Sequence, residues 1–163
     1  MTDPLDTLPG IGLDDLLRRA ALQTRIDRKY VLDADRLPRL LAAVDGSAHI
    51  LDIDGRRWFG YLSTYFDTPG LDAFHLAGRG RRRRFKVRTR VYRDSGEAWL
   101  EVKTRGPRGT TVKDRLPYPL AAAGTLTAAG REFVAGVLAA RRVPGVEVAA
   151  LAPALHTGYE RAT

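Results

Sequence analysis

The sequence predicts an α+β domain built on antiparallel strands, and three observations carry that prediction. Several short segments alternate apolar and charged residues with a period of two, the pattern of a strand buried on one face. They are separated by turn signals such as Asp94-Ser95-Gly96 rather than by crossover helices, which makes sequential strands antiparallel. Helical stripes occur only at intervals, not between every pair of strands as βαβ units require.

Residues 1–12 read as a flexible N-terminal arm, and the folded domain is expected over 13–163. Leu13, Leu16, Leu17, Ala20 and Ala21 form a helical stripe, with Asp14 and Asp15 at its start and Arg18 and Arg19 later, as the helix dipole favours. Arg25 to Leu32 reads as a strand. Asp33 is the expected N-cap of a helix to Val44 with Leu37, Leu40, Leu41 and Val44 on one side, and Pro38 falls in its tolerant first turns.

A short strand is expected at His49 to Ile53, with an Asp54-Gly55 turn after it. Gly60 to Asp67 is the next strand, Asp67-Thr68-Pro69-Gly70 a turn, and Leu71 to Leu76 a short helix. Arg84 to Tyr92 and Ala98 to Thr104 form a hairpin. Thr110 to Leu116 is a further strand before Pro117, and Thr127 to Arg141 a helix with Phe133, Val134, Val137 and Leu138 as its apolar face. A last strand opens near Pro153.

Composition narrows the chemistry. The 163 residues hold 27 Lys+Arg against 19 Asp+Glu, a formal net charge of +8, which directs attention to anionic partners. No cysteine is present, which excludes disulfides, thiolate metal sites and cysteine nucleophiles. Three histidines, His49, His75 and His156, lie far apart in sequence and do not suggest a histidine metal site. There is no apolar run of transmembrane length and no basic-then-apolar leader, so no membrane insertion and a soluble, cytoplasmic protein are expected.

The most informative segment is Arg84 to Tyr92. Period two puts Arg84, Lys86, Arg88 and Arg90 on one face and Phe85, Val87, Thr89 and Val91 on the other. Other strands repeat the theme: Glu101, Lys103 and Arg105; Lys113 and Arg115; Arg25, Asp27 and Lys29. One charged face per strand is ordinary for a solvated sheet, but here cations heavily outnumber acids. Such rows need water or an anion to compensate them. An open cationic sheet would track a nucleic-acid backbone. A barrel with its charges turned inward would hold a short, dense polyanion such as a triphosphate, with Asp27 and Glu101 available to Mg²⁺ or Mn²⁺.

Other features have plainer readings. The run Arg81 to Arg84 fits a solvated loop or a nonspecific nucleic-acid patch, and Tyr61, Tyr65 and Trp99 fit packing better than base stacking. The Gly10-Ile11-Gly12 and Gly78-Arg79-Gly80 spacings are too short for phosphate loops.

In order and spacing, Arg25 to Leu32, Tyr65 to Pro69, Lys86 to Tyr92, Trp99 to Lys103, Thr111 to Arg115 and Thr157 to Arg161 resemble the VTC domain, the polyphosphate polymerase branch of the triphosphate tunnel metalloenzymes (the CYTH-like fold). The resemblance implies an antiparallel β tunnel lined by basic residues, with flanking helices. It implies ATP and inorganic polyphosphate or tripolyphosphate as ligands, Mn²⁺ or Mg²⁺ as cofactor, and γ-phosphoryl transfer from ATP to a polyphosphate chain. Within the same fold, hydrolysis of tripolyphosphate or nucleoside triphosphates is the alternative, and a noncatalytic polyphosphate- or RNA-binding module is the rival outside enzymology. Carried over by position, Lys29, Arg88, Arg90 and Lys103 are the expected catalytic phosphate contacts. Lys113 and Arg161 carry over likewise as substrate-binding residues. From the charged rows themselves, Arg84, Lys86 and Arg115 are expected to join them in binding substrate, and Glu101 and Asp27 are the expected metal ligands, Glu101 as a substitute for the family's later glutamate. The family's tunnel continues past the strand opened by Tyr159-Glu160-Arg161 to a metal-binding glutamate. The sequence stops at Thr163, so the expectation is a partial barrel, truncated at its C-terminus or completed by another chain.

Overall fold

The structure is a computed structural model and describes residues 3–20, 29–44, 46 and 48–163. Contacts divide the chain into two units, Met1–Trp58 with Arg161–Thr163, and Phe59–Glu160.

In the first unit, Pro4–Thr7 form a single 3₁₀ turn whose N-cap, Asp3, accepts from the Leu5 N–H at 2.9 Å. Strand β1 (Gly10–Ile11) pairs in parallel with β2 (Ile50–Leu51). Arg57 ties these pieces together, binding the Asp52 carboxylate at 2.9 Å and the Leu5 and Leu8 carbonyls at 3.2 and 3.1 Å. Helix α1 spans Leu13–Ala20 and α2 spans Leu37–Ala43. Before α2, Asp33 holds the extended cap geometry of a 3₁₀ turn at Ala34–Arg36 but makes no side-chain capping bond. The strand expected at Arg25 to Leu32 is not borne out over Lys29 to Leu32, which are exposed and unpaired in any sheet; Arg25 to Arg28 lie outside the described residues. The Asp54-Gly55 turn is present, with φ of 53° and 79°, the left-handed pair that Asp-Gly favours.

The second unit is a five-stranded sheet with helices. Its strands are β3 (Phe59–Asp67), β4 (Phe85–Tyr92), β5 (Glu97–Arg105), β6 (Thr111–Tyr118) and β7 (Ala152–Arg161), in the order β6-β5-β4-β3-β7. Pairs β3–β4, β4–β5 and β5–β6 are antiparallel. Tyr61 meets Tyr159 and Thr64 meets His156, the sense of an antiparallel β3–β7 pair. Among the described residues the sheet is not closed, and β6 and β7 are its outermost strands. Both edges carry a proline, Pro117 and Pro153, where a missing N–H is tolerated. Strand β6 accordingly runs through Pro117 instead of ending before it.

The apolar faces expected from sequence pack together. Phe66, Phe85, Val87, Leu100 and Val102 are at most 2 % exposed and share a core with Val134 and Leu138 of α4 (Ala128–Ala140). Thr127 caps α4, its hydroxyl accepting from the Gly130 N–H at 3.1 Å. Gly130 is where Tyr118 comes close: a Cβ there would sit 2.9 Å from the Tyr118 hydroxyl oxygen. Helix α3 (Asp72–Gly78) is anchored by buried Asp67, whose carboxylate accepts from the N–H groups of Thr68, Ala73 and Phe74 at 2.8, 2.9 and 3.0 Å. Asp67, within the segment Tyr65 to Pro69, therefore has a capping role. Among the described residues, no helix is long and apolar enough to cross a membrane.

Candidate phosphate-binding face

With Phe85, Val87, Leu100 and Val102 committed to the core, the alternate residues of β4 and β5 occupy the opposite face. Register then sorts them into rungs. Lys86, Lys103 and Lys113 stand side by side across β4, β5 and β6. The next rung is Tyr65, Arg88, Glu101 and Arg115, and the one after is Ser63, Arg90, Trp99 and Pro117. Adjacent strands are about 4.8 Å apart and successive rungs about 7 Å, so the cations of this face lie within strong mutual repulsion.

Glu101 is the counterweight. It is 1 % exposed, and Arg88 Nε and Nη2 both donate to its Oε2 at 2.8 and 2.6 Å. Lys113 Nζ lies 3.9 Å from Oε1. Burial alone would raise the Glu101 carboxyl, but the Arg88 hydrogen bonds and the charges of Arg88, Arg90 and Lys113 hold it below the usual carboxylate range. Burial would likewise lower Arg88, and Glu101 overrides it, so the guanidinium is held charged. The third nitrogen of Arg88, Nη1, donates to the Tyr65 hydroxyl at 2.9 Å. All three of its nitrogens are thus engaged within the protein.

Lys103 is the opposite case. It is half-buried and, among the described residues, forms no ion pair. Burial first, and then the positive charges of Arg88, Arg90 and Lys113 against the opposing pull of Glu101, push its ammonium down from 10.5 to about 8. Lys86, beside it, is exposed and also lacks an ion pair among the described residues. This pair of lysines is where the face most lacks negative charge.

Aromatic rings frame the cations. Tyr61 stacks on Tyr159 with centroids 5.3 Å apart and meets Tyr92 edge-on at 5.2 Å. Arg90 lies over Tyr61 and Tyr159 at 5.2 and 5.8 Å and donates to the Tyr159 hydroxyl at 2.7 Å. Arg115 lies over Trp99 at 4.5 Å. Such contacts orient a guanidinium while leaving its charge unneutralised. Tyr61, Tyr65 and Trp99, read from sequence as packing residues, are partners of these arginines. Tyr159, legible in the sequence only as part of the opening of the last strand, joins them beside Arg90.

The face thus gathers Lys86, Arg88, Arg90, Lys103, Lys113 and Arg115. Arg84 does not continue its row: it precedes β4 and donates to the Arg81 carbonyl at 3.3 Å. Lys29 and Arg161 belong to the other unit, both exposed, with Arg161 the last residue of β7. Asp27 lies outside the described residues. No group of three or more His, Cys, Asp or Glu side chains suited to a metal ion occurs among the described residues. Glu101 is committed to Arg88 and faces Lys113. The described donors do not build a metal site by themselves.

Comparison with known proteins gives two findings. The family model for the VTC domain matches residues 24–163. Among solved structures, a protein of Vibrio parahaemolyticus described as a candidate adenylate cyclase matches at 11 % identity and a TM-score of 0.38, over 64 % of this chain. The match spans 44 % of that longer chain. No curated protein sequence matches.

Proposed function

Because the chain belongs to the VTC domain family, with 24–163 matched, we propose that its cationic sheet face binds ATP and inorganic polyphosphate and serves transfer of the ATP γ-phosphoryl group onto the polyphosphate chain. The observation that carries the binding part is the rung Lys86–Lys103–Lys113. Three adjacent ammonium groups, one half-buried and without an ion pair among the described residues, are unfavourable until an anion with several closely spaced charges lies across them. An oligophosphate is such an anion.

In this reading Lys103 and Lys86 contact phosphate oxygens, and Arg90, turned by Tyr61 and Tyr159, contacts the neighbouring phosphate. Arg88 is a positioning residue: it fixes Glu101, the carboxylate that offsets the cations of this face. A terminal polyphosphate oxygen attacks the γ-phosphorus, the bond to the β-phosphate oxygen breaks, and ADP leaves. Positioning and charge neutralisation supply most of the catalysis. A dependence on Mn²⁺ or Mg²⁺ is proposed with it; the ion would supply further neutralisation of phosphate charge.

The test is incubation of the purified chain with γ-labelled ATP, a short polyphosphate primer and Mn²⁺. Label in lengthening polyphosphate, lost on adding EDTA and in Lys103→Ala, is expected. Label only in orthophosphate would identify a triphosphatase of the same fold. No turnover, with tripolyphosphate still bound, would identify a binding module.

A further inference from the structure

A second basic site lies at the end of the sheet, beyond the lysine rung. A cleft of about 380 Å³ opens where β4 begins, β5 ends and β6 begins. Arg82, Arg83 and Arg84 line it from the loop before β4, Arg105 from the end of β5, and Arg141 and Arg142 from the end of α4. Val112 and Val143 contribute apolar wall. The position of Val112 in register with Thr104, and of Arg141 on Asp114, which pairs with Val102, places the α4 side of this cleft on the helix-covered face. That face is opposite Lys86, Lys103 and Lys113, whereas Arg105 follows Lys103 in the alternation and lines the cleft from the end of β5.

Helix-end electrostatics and one ion pair account for part of this cluster. A helix C-terminus carries roughly half a negative charge, and Arg141 binds the Asp114 carboxylate at 2.9 Å. The rest is unexplained by structure. Among the described residues, Arg82, Arg83 and Arg142 form no ion pair, and Arg84 and Arg105 reach only the carbonyls of Arg81 and Gly80.

Arg142 adds an independent observation. It ends α4 with φ of 53°, its N–H on the Ala139 carbonyl and the Val143 N–H on the Leu138 carbonyl. That is the left-handed C-terminal motif glycine normally fills. An arginine there is strained by roughly 1 kcal/mol relative to glycine, and its side chain lines the cleft.

We propose that this cleft is a second anion site, for a compact oligophosphate. Guanidinium groups match phosphate oxygens in paired hydrogen bonds. The cleft volume sits at the small end of the ligand-pocket range of about 300–1,000 Å³, which suits a small molecule with several phosphates rather than a polymer. Its arginines come from three separate parts of the second unit, unlike a solvated run. The site stands whether or not the sheet face is catalytic.

The experiment is calorimetric titration of the whole chain with tripolyphosphate. The variants are Lys103→Ala and the triple change Arg82→Ser, Arg83→Ser and Arg142→Gly. The triple variant keeps its fold, because two changes lie on an exposed turn and the third relieves backbone strain. Wild type is expected to bind two equivalents. Lys103→Ala is expected to keep one, and the triple variant to keep the other while losing at least tenfold in affinity at the cleft. Unchanged stoichiometry and affinity in the triple variant would overturn the proposal. So would a single-stranded RNA displacing tripolyphosphate from the cleft at equal charge concentration, which would make it a general polyanion surface. Failure of the sheet face shows separately, as an unchanged titration in Lys103→Ala.

Discussion

Glu101→Ala is expected to lose about 3–5 kcal/mol of stability, the usual cost of removing one partner of a buried ion pair. Without the carboxylate, Arg88 keeps a buried guanidinium with only Tyr65 as partner, and the charges of Arg90, Lys103 and Lys113 face it uncompensated. Replacing both members, Arg88→Met with Glu101→Leu, is expected to cost far less, because no buried charge is then left alone. Tripolyphosphate should restore part of the loss in Glu101→Ala, since the anion takes over the role of the carboxylate. Urea denaturation checks all three. A loss under about 1 kcal/mol in Glu101→Ala, the range of solvated pairs, would mean that Glu101 does not hold the cationic face together.

The second large effect is a pH dependence. Unfolded Lys103 titrates near 10.5 and folded Lys103 near 8. Below pH 8 both states carry the proton, and the folded protein bears the full cost of a half-buried ammonium among cations. Between 8 and 10.5 the unfolded chain holds the additional proton, so stability rises with pH. Above 10.5 the contribution is constant. Lys103→Met should abolish this rise while leaving the titration of other groups in place, so the difference between the two melting-temperature profiles isolates it. Bound oligophosphate favours the charged ammonium. The stabilisation it gives should therefore be largest below pH 8 and shrink through the same window. Parallel profiles for wild type and Lys103→Met would contradict the placement of Lys103.

Much of this site was legible in the sequence because strand periodicity is rigid. Once Phe85, Val87, Leu100 and Val102 are recognised as core, Lys86, Arg88, Arg90, Glu101 and Lys103 must share the other face. The hairpin turn at Asp94-Ser95-Gly96 then fixes which residues stand opposite each other, and Gly96 takes the left-handed φ of 69°. What period two does not carry is where a strand begins. Arg84 fits the alternation, but the turn from Arg81 breaks the row, and Arg84 joins the arginines of the other cleft. The same limit hid Arg141 and Arg142, which reach that cleft through the end of a helix distant in sequence. Nor did residue type reveal that Arg88 spends its three nitrogens on Glu101 and Tyr65 while Lys103, among the described residues, forms no ion pair. That difference arises from register across β3, β4 and β5. Pro117 likewise ends no strand: β6 runs to Tyr118, and among the described residues it has a neighbour, β5, on one side only.

The most direct measurement of the central claim, that an oligophosphate lies across Lys86, Lys103 and Lys113, is a thermal melt of the chain with tripolyphosphate, with and without Mn²⁺, beside single-stranded RNA of equal charge. A ligand that binds only the folded state raises its melting temperature, by about 2.7 kcal/mol of stability at a hundredfold excess over Kd. Stabilisation by tripolyphosphate that exceeds that by RNA and falls sharply in Lys103→Ala is the predicted result. Equal or greater stabilisation by RNA, or a tripolyphosphate effect indifferent to Lys103→Ala, would contradict it.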